Sequence, residues 1–298
     1  MDRFQPPTLA DRERFLAAAA VLSRESCECS FANIFAWREV YQTGFTSVHG
    51  RLIVLGRAVN VLLFPLGAWL DPVELEEVRL ALSCATGRRL SWGDVPPDYL
   101  DAHHGRLAER YRISSDEGDA DYLYRTAELA AVAGHRHQNT RRLLRQFEAA
   151  YPDARLLPLT AAHADDVLEL AAQVHGEQGH AEPTPEDLAL KTALEHFDGL
   201  HLDGARLVDG TGRLLGFSIF SLPLPTMADV HFEKALRQID GAAQAVRVGV
   251  ARTLAGRVNW INLEQDLGLP GLRRSKQSYA PDHLVRRFRL DPVEEASS

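Results

Sequence analysis

The chain reads as an α+β protein of two lobes, each a mixed, mainly antiparallel sheet flanked by helices. Three observations predict this. Both halves run in the same order: helices, antiparallel strands, a helix and another strand. The length of 298 residues, with 45% hydrophobic and 25% charged residues, supplies core for one large or two medium globular domains. No low-complexity segment interrupts the pattern apart from a short polar tail after Pro292. The expected division is 1–152 and 153–298.

In the first half, Leu9 to Arg24 is expected to be helical. Phe31, Ile34, Phe35 and Val40 stand at helical spacing, which predicts a second helix over Phe31 to Tyr41. Thr46 to Leu55 and Ala58 to Pro65 form an expected strand pair turning at Gly56. Asp71-Pro72 supplies an N-cap and a first-turn proline for a helix to about Thr86. A short strand at Arg89 to Trp92 and a helix over Pro97 to Tyr111 follow. Tyr122 to Tyr124 ends a strand, and Ala127 to Tyr151 is a long helix with Gly134 as a point of interruption.

The second half starts with a strand at Ala154 to Pro158. Ala162 to Gly176 and Thr184 to Phe197 are expected helices, the latter opened by the cap signal Thr184-Pro185-Glu186-Asp187. Gly204 to Val208 and Leu214 to Phe220 make a hairpin about Asp209-Gly210-Thr211-Gly212. Ala228 to Glu233 is a strand, Asp240 to Leu254 a helix, Val258 to Leu263 a strand and Leu284 to Arg289 the last strand.

The formal net charge of −8 and a pI of about 5.8 argue against a broad nucleic-acid-coating surface, while leaving room for a local basic groove. Cys27 and Cys29 are too close for an ordinary disulfide framework and Cys84 stands alone, a sparse set that fits a reducing compartment and no zinc site. His103 and His104 diverge on a helix, and His175 and His180 flank a loop, so the histidines form no ligand pattern and no metal is expected. The polar stretch Met1 to Arg14 has no apolar signal region, and Val59 to Leu70 contains Pro65 and Gly67 and is too short to span a bilayer. A cytoplasmic protein without stable membrane insertion is expected, any action on lipid occurring transiently at the membrane surface.

The most informative stretch runs from Trp260 to Tyr279. An apolar run ends in Asn262, Glu264, Gln265 and Asp266; Gly268, Pro270 and Gly271 follow, then Arg273, Arg274, Lys276 and Tyr279. Buried strands rarely end in so many polar groups without a use for them, because each needs a partner when desolvated. Together with His231-Phe232-Glu233-Lys234-Ala235, Asp240-Gly241-Ala242-Ala243-Gln244, Ser30-Phe31-Ala32-Asn33-Ile34-Phe35-Ala36-Trp37-Arg38 and Asp121-Tyr122-Leu123-Tyr124, this stretch resembles the family sharing the C-terminal domain of phosphatidylglycerol lysyltransferases. The likeness runs from about Cys29 to Phe288. Where that family usually has a Lys-Arg-Asn run this chain has Thr140-Arg141-Arg142, and Leu263 stands where Arg is frequent.

The resemblance implies a tandem pair of Gcn5-related acyltransferase lobes. It also implies transfer of an aminoacyl group from aminoacyl-tRNA to a lipid or small-molecule acceptor. Such transfer needs a base, a charge stabiliser and a held geometry, because the donor ester is already activated. Glu233, Glu264 and Asp266 are the candidate bases, Lys276 and Arg273 the candidate charge stabilisers, and Tyr279 a proton donor or stacking group. His231, Gln244, Asn262 and Gln265 are nominated as substrate contacts, with Tyr122 and Tyr124 lining the cleft between lobes. Closure of a strand end and core packing are the competing explanations of these residues.

Two further motifs bear on the donor. Gln238-x-x-Gly241-x-Ala243 fits the turn that presents backbone N–H groups to the pyrophosphate of coenzyme A, with Asp240 as an N-cap the competing explanation. Arg136, Arg141, Arg142 and Arg145 share one helix, as contacts for tRNA phosphates or as a solvated face. Three readings therefore stand: an aminoacyltransferase using charged tRNA, a coenzyme A-dependent N-acyltransferase, and a non-catalytic binding module on an acyltransferase scaffold.

Overall fold

The computed structural model of the chain describes residues 4–177 and 182–293, and His180 lies outside them. The chain divides into two compact units, Met1–Ala120 with Val285–Ser298 and Asp121–Leu284.

The first unit opens with α1 (Arg12–Ala20) and α2 (Phe31–Ala36), where the Ser30 hydroxyl accepts from Asn33 N. Strands β1 (Thr43–Val48) and β2 (Arg51–Gly56) form a hairpin. Its turn is His49-Gly50, both in the left-handed region with φ of 49° and 75°, which divides the single strand expected over Thr46 to Leu55; the turn expected about Gly56 is the next one, over residues 57–60. A two-residue hairpin turn of this kind requires positive φ at both positions and matches the twist of the strands. Then follow β3 (Val61–Leu63), α3 (Pro72–Thr86), β4 (Ser91–Val95), α4 (Pro97–Ala108) and β5 (Tyr111–Ser114). Helix α3 begins as its sequence signal predicts: the Asp71 carboxylate accepts from Val73 N and Glu74 N, and Glu74 reaches back to Asp71 N. Its end is set by Gly87, left-handed at φ 64°. Helix α4 stops short of Tyr111, which sits instead on a strand with its hydroxyl on Glu76.

The second unit holds β6 (Asp121–Arg125), α5 (Thr126–Ala131), α6 (Gln138–Ala150), β7 (Arg155–Pro158), α7 (Ala164–Glu177), α8 (Pro185–Glu195), β8 (Asp203–Val208), β9 (Leu214–Leu224), β10 (Met227–Ala235), α9 (Ala242–Leu254), β11 (Trp260–Asn262), α10 (Pro270–Gln277) and β12 (His283–Val285). The chain then returns to the first unit with β13 (Phe288–Pro292). The long helix expected over 127–151 is two helices, because Val132 and Gly134 adopt φ of 44° and 76° between them.

The first sheet has the order β1-β2-β3-β4-β13-β5 and the second β12-β6-β11-β10-β9-β8-β7. Pairs β3/β4 and β10/β11 run parallel, each crossed by a helix, α3 and α9; the neighbours β1/β2, β2/β3, β9/β10 and β8/β9 run antiparallel. The expected boundary after residue 152 is corrected by strand pairing. Leu123 of β6 pairs with Asn262 of β11, and Leu290 of β13 pairs with Trp92 and Ile113. One strand from each half of the sequence thus completes the sheet built by the other, and no local signal encodes pairings of such sequence separation.

One detail of the second sheet positions the site. Strands β10 and β11 pair only over Met227–Asp229 and Trp260–Asn262, while β10 continues to Ala235 against β9. The β9/β10 register shifts between Val230 and Phe232, which leaves His231 as the extra residue of a bulge.

Candidate functional site

Where the β10/β11 ladder ends, side chains bridge the strands. Asn262 is fully buried; its Nδ2 donates to Asp121 Oδ2 at 3.1 Å, and its Oδ1 accepts from Glu264 N at 2.6 Å. The Glu264 carbonyl accepts from Tyr122 N at 3.2 Å. Held from both sides, Glu264 adopts a left-handed backbone at φ 58°, a conformation that a non-glycine residue keeps only when its surroundings impose it. The result is a carboxylate aimed back at β10: Glu264 Oε1 lies 2.9 Å from His231 Nδ1. The other ring nitrogen, Nε2, lies 2.8 Å from Ser221 Oγ on β9. His231 is 2% and Glu264 16% exposed in their side chains, and Ser221 is 6% exposed.

A second cluster surrounds Asp266. Its carboxylate is fully buried and accepts from Tyr122 Oη at 2.7 Å, Arg273 Nε at 2.7 Å, Arg273 Nη2 at 3.1 Å and Gly268 N at 2.8 Å. Burial works to raise its pKa, but the bonds from Arg273, Tyr122 and the Gly268 N–H outweigh it and bring the carboxyl down to about 2. A carboxylate so stabilised is a poor proton acceptor at neutral pH. The Tyr122 hydroxyl is pushed up to about 12 by burial and by the adjacent carboxylate. Arg273 remains 33% exposed and is the cationic edge of this cluster.

Lys276 is buried, and its ammonium donates to the Leu263 carbonyl at 2.5 Å and to the Gln265 carbonyl. Tyr124 Oη donates to the Lys276 carbonyl at 2.7 Å. Lys276 thus ties α10 to the segment that carries Glu264 and Asp266 and acts on the geometry of the site, while Tyr124 ties α10 to β6.

A third cluster lies between β10 and α9. Glu233 Oε1 accepts from Arg247 Nε and Nη2, both at 2.8 Å, with side-chain exposures of 9% and 12%. Glu233 Oε2 and Arg247 Nη1 have no hydrogen-bond partner among the described residues. Burial pushes the Glu233 carboxyl up against the opposing pull of Arg247. The Arg247 guanidinium sits 4.4 Å from the centre of the buried Tyr279 ring, and Gln244 lies within reach of the Tyr279 hydroxyl.

The remaining sequence candidates stand apart from these clusters. Gly241 is needed by packing: at φ 84° its Cα faces α6, where an added Cβ would collide with the Leu143 carbonyl oxygen and come 2.8 Å from Phe147 Cβ. Ala243 is exposed, and Gln238, oriented by its partners, donates to Glu177 Oε2 at 3.1 Å. Arg141 folds back onto the Val132 and Gly134 carbonyls at 2.6 and 2.5 Å, closing the break before α6.

Ser221, Asp121 and Arg247 were not legible as site residues. Arg247 did leave a signal, a cation between Val246 and Val248 in a helix rich in apolar residues. Asp121 left the signal of a carboxylate inside a strand. Ser221 left none, since its partner arrives through a bulge and a long-range turn.

The family described as "Phosphatidylglycerol lysyltransferase, C-terminal" matches residues 19–290. No curated protein matches the chain. Among solved structures, the chain is similar to a conserved protein of unknown function from Bacteroides thetaiotaomicron VPI-5482, with a TM-score of 0.90 and 27% identity over 99% of this chain and 100% of that one. It is similar to L-PGS from Bacillus licheniformis, with a TM-score of 0.70 and 12% identity over 98% and 94%. It is similar to FemX, with a TM-score of 0.64 and 9% identity over 96% of each chain. The last two likenesses are of fold, and they span both units: with them the chain shares the tandem acyltransferase-type architecture that its element order predicts. Among the described residues no helix is long and apolar enough to cross a membrane.

Proposed function

Because the chain belongs to the phosphatidylglycerol lysyltransferase C-terminal family, we propose that it transfers an aminoacyl group from aminoacyl-tRNA to a hydroxyl or amine of a lipid or small-molecule acceptor. The observation that carries this reading is the bridge Ser221–His231–Glu264 at the end of the β10/β11 ladder. Acyl transfer from an activated ester needs one group that takes the proton of the attacking atom and returns one to the leaving oxygen. His231 is such a group: Glu264 fixes the ring through Nδ1, which leaves Nε2 directed at Ser221 Oγ. Neither Asp266, committed to Arg273 and Tyr122, nor Lys276, committed to two carbonyls, competes for that role. Arg273, at the partly exposed edge, offers positive charge for donor phosphate.

The test is a transfer assay. A tRNA pool charged with labelled amino acids is incubated with the protein and with bacterial lipid and small-molecule extracts. Movement of label into a nuclease-resistant product supports the reading. Label that remains on tRNA, together with thermal stabilisation by acetyl-coenzyme A, overturns it in favour of a coenzyme A donor.

A further inference from the structure

We infer that Ser221 is a nucleophile that carries the acyl group as a covalent ester during turnover. This deepens the reading above and rests on it for the identity of the donor. The argument is geometric. A hydroxyl becomes a useful nucleophile when a base lies within hydrogen-bond reach and a third group orients that base. Ser221 Oγ is 2.8 Å from His231 Nε2, and His231 Nδ1 is 2.9 Å from Glu264 Oε1. Serine, imidazole and carboxylate stand in that order on three separate segments: β9, the bulge of β10, and the turn after β11.

Each member is placed by a specific feature of the fold. The bulge sets His231 apart from the regular ladder. The left-handed Glu264 turns its carboxylate toward the ring, with Asn262 and Asp121 behind it. Asp229, fully buried, stands opposite Ser221 in the β9/β10 register. No nucleophile elbow is involved, as the serine lies within a strand.

The step balances as follows. Ser221 Oγ attacks the carbonyl carbon of an aminoacyl ester, and its proton passes to His231 Nε2. The carbon–oxygen bond to the leaving hydroxyl breaks, and that oxygen takes the proton from Nε2. The acceptor's oxygen or nitrogen then attacks the seryl ester and gives its proton to Nε2, from which Ser221 Oγ recovers it. No oxidant, reductant or further reactant is needed. His231 is catalytic in both halves, and Glu264 is a positioning residue.

The experiment uses the full chain and alanine p-nitrophenyl ester, a small activated ester that needs no tRNA. The expected result is a burst of nitrophenolate and, after acid quench, one alanyl group per chain on the peptide bearing Ser221. Ser221→Ala abolishes the adduct, and His231→Ala slows its formation by about 10²–10⁴-fold. Glu264→Gln shifts the pH profile of the burst, which a merely structural role would not do. Ser221→Cys, close in size, accumulates a thioester and keeps the test open should the alanine variant fail to fold. A folded wild type that forms no adduct, or an adduct unchanged in Ser221→Ala, overturns the inference. The two proposals fail separately: transfer from tRNA without an adduct removes the seryl ester alone, and an adduct without transfer from tRNA removes the donor alone.

Discussion

The Tyr122 hydroxyl donates to Asp266 Oδ2 at 2.7 Å, joining residues 144 positions apart. This bond fixes the turn after β11 to β6, the two from Arg273 fix it to α10, and together they hold the segment that presents Glu264. Removing one partner of such a cluster leaves buried polar groups unsatisfied, which costs more than the bond itself contributes. Tyr122→Phe is expected to destabilise the protein by about 1.5–3 kcal/mol and Asp266→Asn by about 2–4 kcal/mol. Urea unfolding checks both, and an unchanged midpoint for Asp266→Asn contradicts the assignment.

The same carboxylate gives a pH dependence with a defined sign. Asp266 is held at about 2, below an ordinary aspartate value of about 3.9. The folded state therefore binds this proton more weakly than the unfolded chain does. Its contribution is full above the unfolded value and is lost as pH falls through the folded one. Melting temperature measured downward from neutral pH is expected to fall more steeply below about pH 4 in the wild type than in Asp266→Asn. Parallel curves refute this.

Glu233 and Arg247 form a pair that is nearly all buried. Breaking it by Glu233→Gln or Arg247→Met alone is expected to cost about 3–5 kcal/mol, since each leaves its partner desolvated. The double variant is expected to be less destabilised than the two costs summed, and a double-mutant cycle measures the difference. Additive costs would mean that the pair is not coupled.

Gly241→Ala tests why a glycine precedes α9. The new Cβ meets the Leu143 carbonyl at a backbone φ of 84°, so strain and overlap act together. A loss of about 1–3 kcal/mol is expected. A neutral substitution would show that α6 yields there, reopening the turn as a place for phosphate.

What could be read from the sequence follows the range of the interactions involved. The Asp71-Pro72 and Thr184-Pro185 starts are local chemistry, and α3 and α8 begin at those residues. The polar run from Asn262 to Lys276 was legible as a dense cluster, because its members lie close in the chain. Its roles were not: the low pKa of Asp266 depends on the bonds from Arg273 and, far off in the sequence, from Tyr122 on β6, and the engagement of Lys276 depends on the course of the backbone at Leu263 and Gln265. The exchange of β6 and β13 between the sheets was invisible for the same reason, as each strand pairs with residues far away in the sequence. Ser221 became visible only with the bulge that turns His231 toward it.

The most direct test of the account is the rate at which label leaves charged tRNA for an acceptor, compared between wild type and a folded His231→Ala variant. The account predicts transfer by the wild type and a fall of about 10²–10⁴-fold in the variant, measured below the variant's melting temperature. Equal rates in the two proteins, or label that stays on tRNA in both, would contradict it.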